Sequence, residues 1–224
     1  MRRLFILRPE PGASATVQSA RGIGLDAIAM PLFAIAPVAW EAPGAGGFDG
    51  LLLTSANALR HAGDQLIALR GLRAYAVGEA TAEAAREAGF DIASSGDGGV
   101  ERLLGSLEPD LKLLHLCGEH RTAVAAKQAI TAVPVYRAAE LPPPGGLAEV
   151  AGQTVAVHSP RAGTRFAQLI DQAGVDRRTI RIAAISAAAG SAAGPGWDAC
   201  EAADRPDDGA LLALAARLCD YCGQ

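Results

Sequence analysis

An apolar run that stops on a small hydroxyl residue and passes straight into helix-forming sequence occurs twice, as LLLTSANALR at Leu51 to Arg60 and as VAVHSPRAGTRF at Val155 to Phe166. In each, a buried strand is expected to end beside a serine, Ser55 or Ser159. Its hydroxyl caps the next helix and leaves backbone N–H groups pointing past the sheet. Few folds are open to a chain built this way, because a strand that is apolar throughout has to be covered on both faces.

From Phe48 the alternation is regular. The helix after Ser55 is expected to run to about Leu69, and strand Arg73 to Val77 turns through Gly78, Glu79, Ala80 and Thr81 into a helix over Ala82 to Ala88. Strand Phe90 to Ser94 turns through Gly96, Asp97, Gly98 and Gly99 into a helix over Val100 to Leu107. Strand Lys112 to Leu116 turns at Cys117-Gly118 into a helix over Thr122 to Ile130. Later the plan returns: TVAV, a helix from Ser159 to Ala173, strand Ile180 to Ile185 with its turn at Ser186, strand Ala199 to Ala203, and a last helix from Ala210 to Asp220. The distance from Ser55 to Gly78 is 23 residues and from Ser159 to Ser186 it is 27, so the halves read as structural duplicates. Strands alternating with helices of this length imply parallel sheets with right-handed crossovers.

The duplication is unequal. The first copy has a fourth unit, LLHLCGEHRTAVAAKQAI, and the second copy stops after three, but LFILRPEPGASATVQSA at the start of the chain has the same strand, turn and helix plan. Residues 1–31 and 148–224 are therefore expected to form one discontinuous α/β domain, with 48–132 as an inserted α/β domain. Segments 32–47 and 133–147 then link the two, each with alternating apolar residues and a proline, Pro37 or Pro134. They read as a short two-stranded hinge across a cleft.

In open parallel sheets ligands bind beyond the carboxyl ends of the strands. The turns there carry Thr54, Ser55, Gly78, Thr81, Ser94, Gly118, Ser159 and Ser186, with Arg8, Arg121 and Arg161 in or just after three of them. Backbone N–H groups, helix dipoles and arginine forks suit an anionic small molecule. Only Lys112 and Lys127 are lysines among 20 basic residues, although compositional bias accounts for this as well.

A net charge of −4 speaks against a nucleic-acid partner, which needs a concentrated basic face. No apolar stretch approaches the roughly 20 residues that span a bilayer, and Met1 to Arg8 is too short for a secretory signal, so no membrane association and a cytoplasmic location are expected. Of the four cysteines, Cys219 and Cys222 offer half a zinc site with no second pair placed to complete it. A reduced, unstructured tail and no metal are expected. No dinucleotide fingerprint follows a strand, and neither a phosphate-binding P-loop nor a G-x-S-x-G nucleophile elbow is present. His61, His115, His120 and His158 have no ligand spacing. His115 and His158 read as structural residues at corresponding strand ends.

Arg8-Pro9, Pro31, TSAN at 54–57, AVGEATA at 76–82, Val135-Tyr136, HSPRA at 158–162, AAIS at 183–186 and Pro206-Asp207-Asp208 occur in an order that resembles the uroporphyrinogen-III synthase family over nearly the whole chain. The resemblance implies two flavodoxin-like domains joined by a two-stranded ladder, with the first domain split. It implies a lyase that cyclises linear hydroxymethylbilane to uroporphyrinogen III in haem biosynthesis, with inversion of ring D, loss of water, and no cofactor or metal. The substrate carries an acetate and a propionate on every ring. The implied acid is Tyr136, and the implied substrate ligands are Arg8, Thr54, Ser55, Asn57, Gly78, Thr81, Gly118, Ser159, Arg161 and Ser186. Two departures stand out: Cys117 where many members have arginine, and Ala187-Ala188-Ala189 where a threonine is common after the serine. The rival reading is a non-catalytic two-domain protein that binds an anionic metabolite. A monomer with mobile domains is expected, since a narrow hinge buries little interface.

Overall fold

Uninterrupted runs of Leu, Val and Ala form the centre of two sheets. The computed structural model describes residues 2–96, 98–120 and 124–220. The chain begins with β1 (Leu4–Ile6), α1 (Gly12–Gly22), β2 (Ala27–Ala29) and β3 (Phe33–Pro37). It continues with β4 (Gly50–Leu53), α2 (Ala56–His61), β5 (Ala74–Val77), α3 (Glu79–Glu87), β6 (Ile92–Gly96), α4 (Gly99–Gly105), β7 (Lys112–Gly118) and β8 (Ala129–Glu140). The remainder is β9 (Thr154–Val157), α5 (Pro160–Gln172), β10 (Arg181–Ala184), α6 (Ala187–Ala193), β11 (Ala199–Ala202) and α7 (Asp208–Asp220). Contacts divide it into a split unit, Met1–Ala34 with Ala139–Gln224, and a continuous unit, Ile35–Ala138.

The split unit's sheet has the order β11-β10-β9-β1-β2, with every pair parallel. Numbered along the chain this is 2-1-3-4-5, the flavodoxin-like order. Leu4, Ile6, Ala156 and Ala183 pack with Val17 of α1 and with Leu211, Leu214 and Leu218 of α7.

In the continuous unit the order is β3-β8-β7-β4-β5-β6. Strands β8 to β6 are parallel. The β3–β8 pair is antiparallel, because Val38 donates to Val135 while Leu141 donates to Leu32. Leu51, Leu53, Leu114 and Leu116 face Leu59, Leu69 and Phe90, and on the other face Leu52 and Leu113 meet Leu103 and Leu104 of α4. Both faces are covered, as strands without polar residues require.

Setting β9, β10, β11, β1, β2 against β4, β5, β6, β7, β8 makes the two orders identical, 3-2-1-4-5. The units are thus circular permutations of one arrangement, with α7 in the place of α4. Registers then match residue to residue. Ser159 corresponds to Ser55, His158 to Thr54, and Ser186 to Gly78. Ile6 pairs with Ala156 as His115 pairs with Leu52, which sets Arg8 in the place of Cys117. His115 lies inside β7 and is the counterpart of Ile6, so it and His158 do not occupy corresponding strand ends.

Two sequence expectations fail locally. The helix after Ser55 ends at His61 and continues as a 3-10 helix over Gly63–Leu69, because Gly63 takes φ +65° and interrupts the α-helical run. The helix expected over Thr122 to Ile130 begins outside the described residues. Residues 124–128 are not helical, and β8 starts at Ala129. Buried Gln128 donates through Nε2 to the carbonyls of Leu104, Leu107 and Glu108 at 3.0, 3.2 and 3.1 Å, tying this segment to the end of α4.

Candidate functional site

Three helix starts carry the serines expected there. Ser55 Oγ accepts from Asn57 N at 3.2 Å, Ser159 Oγ from Ala162 N at 3.2 Å and Ser186 Oγ from Ala189 N at 3.3 Å. Each hydroxyl thus spends a lone pair on its own helix and keeps its O–H to donate. Gly78, the counterpart of Ser186, caps α3 without a side chain and at φ +79°, a conformation that favours glycine. Thr81 is buried in the first turn of that helix, and Thr54 Oγ1 lies 3.0 Å from buried His115 Nε2.

In the continuous unit Ser55, Gly118 and Tyr136 meet. A bulge admits one extra residue on β8, so after Cys117 pairs with Pro134, Gly118 stands opposite Tyr136 and not Val135. A Cβ on Gly118 would lie 2.9 Å from the Tyr136 ring and 3.2 Å from its hydroxyl. The tilted His61 ring has its centroid 6.4 Å away. Burial pushes the Tyr136 phenol above its ordinary pKa, a hydrogen bond with Ser55 pulls it partly back, and nearby Cys117 raises it again. Ser55 Oγ accepts from Asn57 N and still has both a lone pair and its hydrogen to offer the phenol.

The split unit gathers charge instead. Arg8 Nη1 donates to both oxygens of Asp208, at 3.0 and 2.8 Å, and to Thr16 Oγ1 at 3.2 Å. Thr16, fully buried, donates to Asp208 Oδ2 at 2.7 Å. His158 Nε2 approaches Oδ1 at 3.4 Å, too long for a strong hydrogen bond but near enough to favour the carboxylate. His158, then Thr16 and Arg8, hold Asp208 at about 2 against the opposing effect of burial. Arg161, two residues into α5, stacks its guanidinium 4.8 Å from the centre of the Phe33 ring. A shallow hollow of 280 Å³ beside it is lined by Phe33, Glu140, Thr164 and Arg165 among others.

Asp208, Thr16 and His158 were not among the residues that the sequence pointed to as ligands. For Asp208 the signal was Pro206-Asp207-Asp208 ahead of a helix, and its partner Arg8 lies 200 positions away. Arg121 and Cys222 lie outside the described residues. Cys219, which falls both in the last helix expected over Ala210 to Asp220 and in the terminal stretch expected to be unstructured, is buried in α7. The α7 helix reaches that far because Leu211, Leu214 and Leu218 seat it on the core. Among the described residues no three His, Cys, Asp or Glu side chains gather closely enough to hold a metal ion, and no helix is long and apolar enough to cross a membrane.

No curated protein matches the chain. Among solved structures it is similar to the uroporphyrinogen-III synthetase of Helicobacter pylori, with a TM-score of 0.63 and 16% identity over 97% of this chain and 100% of that one. It is also similar to a mutant uroporphyrinogen III synthase of Thermus thermophilus, with a TM-score of 0.52 and 18% identity over 97% and 99%. At such identities the likeness establishes the fold. The model of the family described as uroporphyrinogen-III synthase HemD matches residues 14–213, nearly the full sequence. The chain therefore belongs to the uroporphyrinogen-III synthase family, lyases of haem biosynthesis that cyclise hydroxymethylbilane to uroporphyrinogen III.

Proposed function

We propose that Tyr136 is the general acid of this cyclisation, protonating the hydroxyl that leaves hydroxymethylbilane. Departure of water gives an azafulvene cation that the electron-rich pyrroles stabilise, and a spiro intermediate then forms, fragments and recloses with ring D inverted. The protein's main task is positioning, which can supply several kcal/mol of preference for attack at the substituted carbon. The observation that supports the acid role is the Ser55–Tyr136–Gly118 arrangement: a phenol kept protonated by burial, beside the Ser55 hydroxyl and against the open face of Gly118. A phenol is a weak acid, but the leaving oxygen grows more basic as its bond to carbon stretches. In Tyr136→Phe, kcat on freshly generated hydroxymethylbilane should fall at least about tenfold while the product remains the type III isomer. Full turnover by this variant would sink the acid role.

Arg8 and Arg161 are the proposed cationic ligands for substrate carboxylates. Thr54, Ser55, Asn57, Thr81, Ser159 and Ser186 would add polar side-chain contacts, and Gly78 and Gly118 backbone ones. The free thiols of Cys200 and Cys219 fit a reducing, cytoplasmic setting. Ile23 and Ile67 are the only exposed large hydrophobics among the described residues, which fits a monomer. Sedimentation at micromolar concentration tests that state.

A further inference from the structure

Arg8 leaves the carboxyl end of β1, and its guanidinium lies against the first residue of α1. A Cβ built on Gly12 would come within 2.6 Å of Nε, 2.9 Å of Cζ and 3.0 Å of Nη2. One corner of the group carries the protein's whole hold on it. Nη1 donates to Asp208 and Thr16, whereas Nε and Nη2 have no hydrogen-bond partner among the described residues. The acceptor is itself braced. Asp207 Oδ1 accepts from Ala210 N at 2.8 Å and so caps α7, which sets Asp208 in the first turn, where the helix dipole favours a carboxylate. Thr16 has no freedom left, since its hydroxyl donates to Asp208 and accepts from Arg8 at full burial.

The unused edge is the side-on pair, Nε with Nη2, whose spacing matches the two oxygens of a carboxylate. A surface arginine also loses rotamer freedom when it binds. Fixing it beforehand removes that loss, at the expense of some long-range attraction to an anion.

We propose that Asp208 is a positioning residue: with Thr16 it fixes the Nη1 corner of Arg8 while the Nε, Cζ and Nη2 atoms rest over Gly12, so that the Nε–Nη2 edge, which no protein acceptor takes up among the described residues, is held ready as a two-pronged donor to one substrate carboxylate. This rests on the reading of Arg8 as a substrate ligand.

Steady-state kinetics on freshly generated hydroxymethylbilane test it through a double-mutant cycle. In Asp208→Asn, KM should rise about tenfold with kcat changed less than about twofold. Arg8→Ala should raise KM at least as far, and Asp208→Asn added to Arg8→Ala should raise it no further, because the aspartate acts through the arginine. An additive double variant would overturn the proposal, leaving Asp208 a structural role, as would an unchanged KM in Asp208→Asn. If Arg8→Ala itself leaves KM unchanged, the ligand reading fails, and the proposal with it. Should Asp208→Asn fold poorly, Thr16→Val, nearly isosteric, removes the same brace and should give the same KM shift, again absent on an Arg8→Ala background. An unshifted KM there would overturn the proposal equally.

Discussion

One sheet arrangement occurs twice in this chain, and its two carboxyl ends carry opposite chemistry. Where the split unit has Arg8 after β1, the continuous unit has buried Cys117 in β7. His158 corresponds to Thr54, and Arg161 to Asn57. The exchange is concerted: α7 opens on Asp208, the partner of Arg8, while α4 in its place opens on Gly99. Each unit therefore holds either both members of the ion pair or neither, and no charge is left stranded there. Next to it, Pro31 and Pro134 occupy equivalent places, and the aromatic two residues on is Phe33 in one unit and Tyr136 in the other. Phe33 stacks under Arg161, whereas the bulge brings Tyr136 to Gly118 and Ser55. The scaffold thus fixes where groups stand, and the residue type decides whether a place offers charge or a proton.

The contrast can be broken experimentally, and the largest effect is expected away from the site. Arg181 and Arg73 hold matching strand positions, yet Arg181 is buried and pairs with Asp198 at 2.6 Å, while Arg73 is exposed. Arg181→Ala should cost about 3 kcal/mol in urea unfolding, and Arg73→Ala under about 0.5 kcal/mol. Next comes the pair Arg8 and Cys117. Arg8→Ala should lower kcat/KM about thirtyfold, the worth of a charged hydrogen bond, and Cys117→Ala less than about threefold. Gly118→Ala follows: its Cβ would press on the Tyr136 ring, so kcat should fall about tenfold with KM nearly constant, and Tyr136→Phe should absorb much of that loss. The smallest effect is a pH dependence confined to the split unit. Asp208 has an ordinary carboxylate pKa when unfolded and about 2 when folded, so its stabilisation is complete above pH 4 or so and fades as the pH falls toward 2. With its side chain 37% exposed, solvent screening leaves about 1 kcal/mol, measurable as the difference in urea midpoints between the parent and Asp208→Asn across that window.

Much of this was legible in the sequence because the cues are local. A serine just beyond an apolar run can cap the helix that follows, and Ser55, Ser159 and Ser186 all do so. The missing fourth unit pointed to a discontinuous domain built from both ends of the chain because counting strand-turn-helix blocks needs no tertiary knowledge, whereas the permutation itself is visible only in the strand orders. What escaped depends on distance or on competition. Ala125-Ala126-Lys127-Gln128 has the composition of a helix, but Gln128 finds three carbonyl partners at the end of α4, a gain invisible to propensity. Tyr136 was picked out by resemblance, while the bulge that aims it is a matter of register. The Arg8–Asp208 contact joins opposite ends of the chain, and nothing in either segment names the other.

The permutation also has a temporal side. Segment 4–29 is made first, yet β1 is an interior strand whose second neighbour, β9, is translated only after all of Ile35–Ala138. At about 5–20 residues per second that delay is roughly 5–20 s. Throughout it the nascent Leu4-Phe5-Ile6 edge stays unpaired on one side, while the continuous unit has every strand it needs to close its own sheet. The split unit is therefore the one whose birth on the ribosome leaves an adhesive strand in need of shielding, and overexpression losses should trace to it.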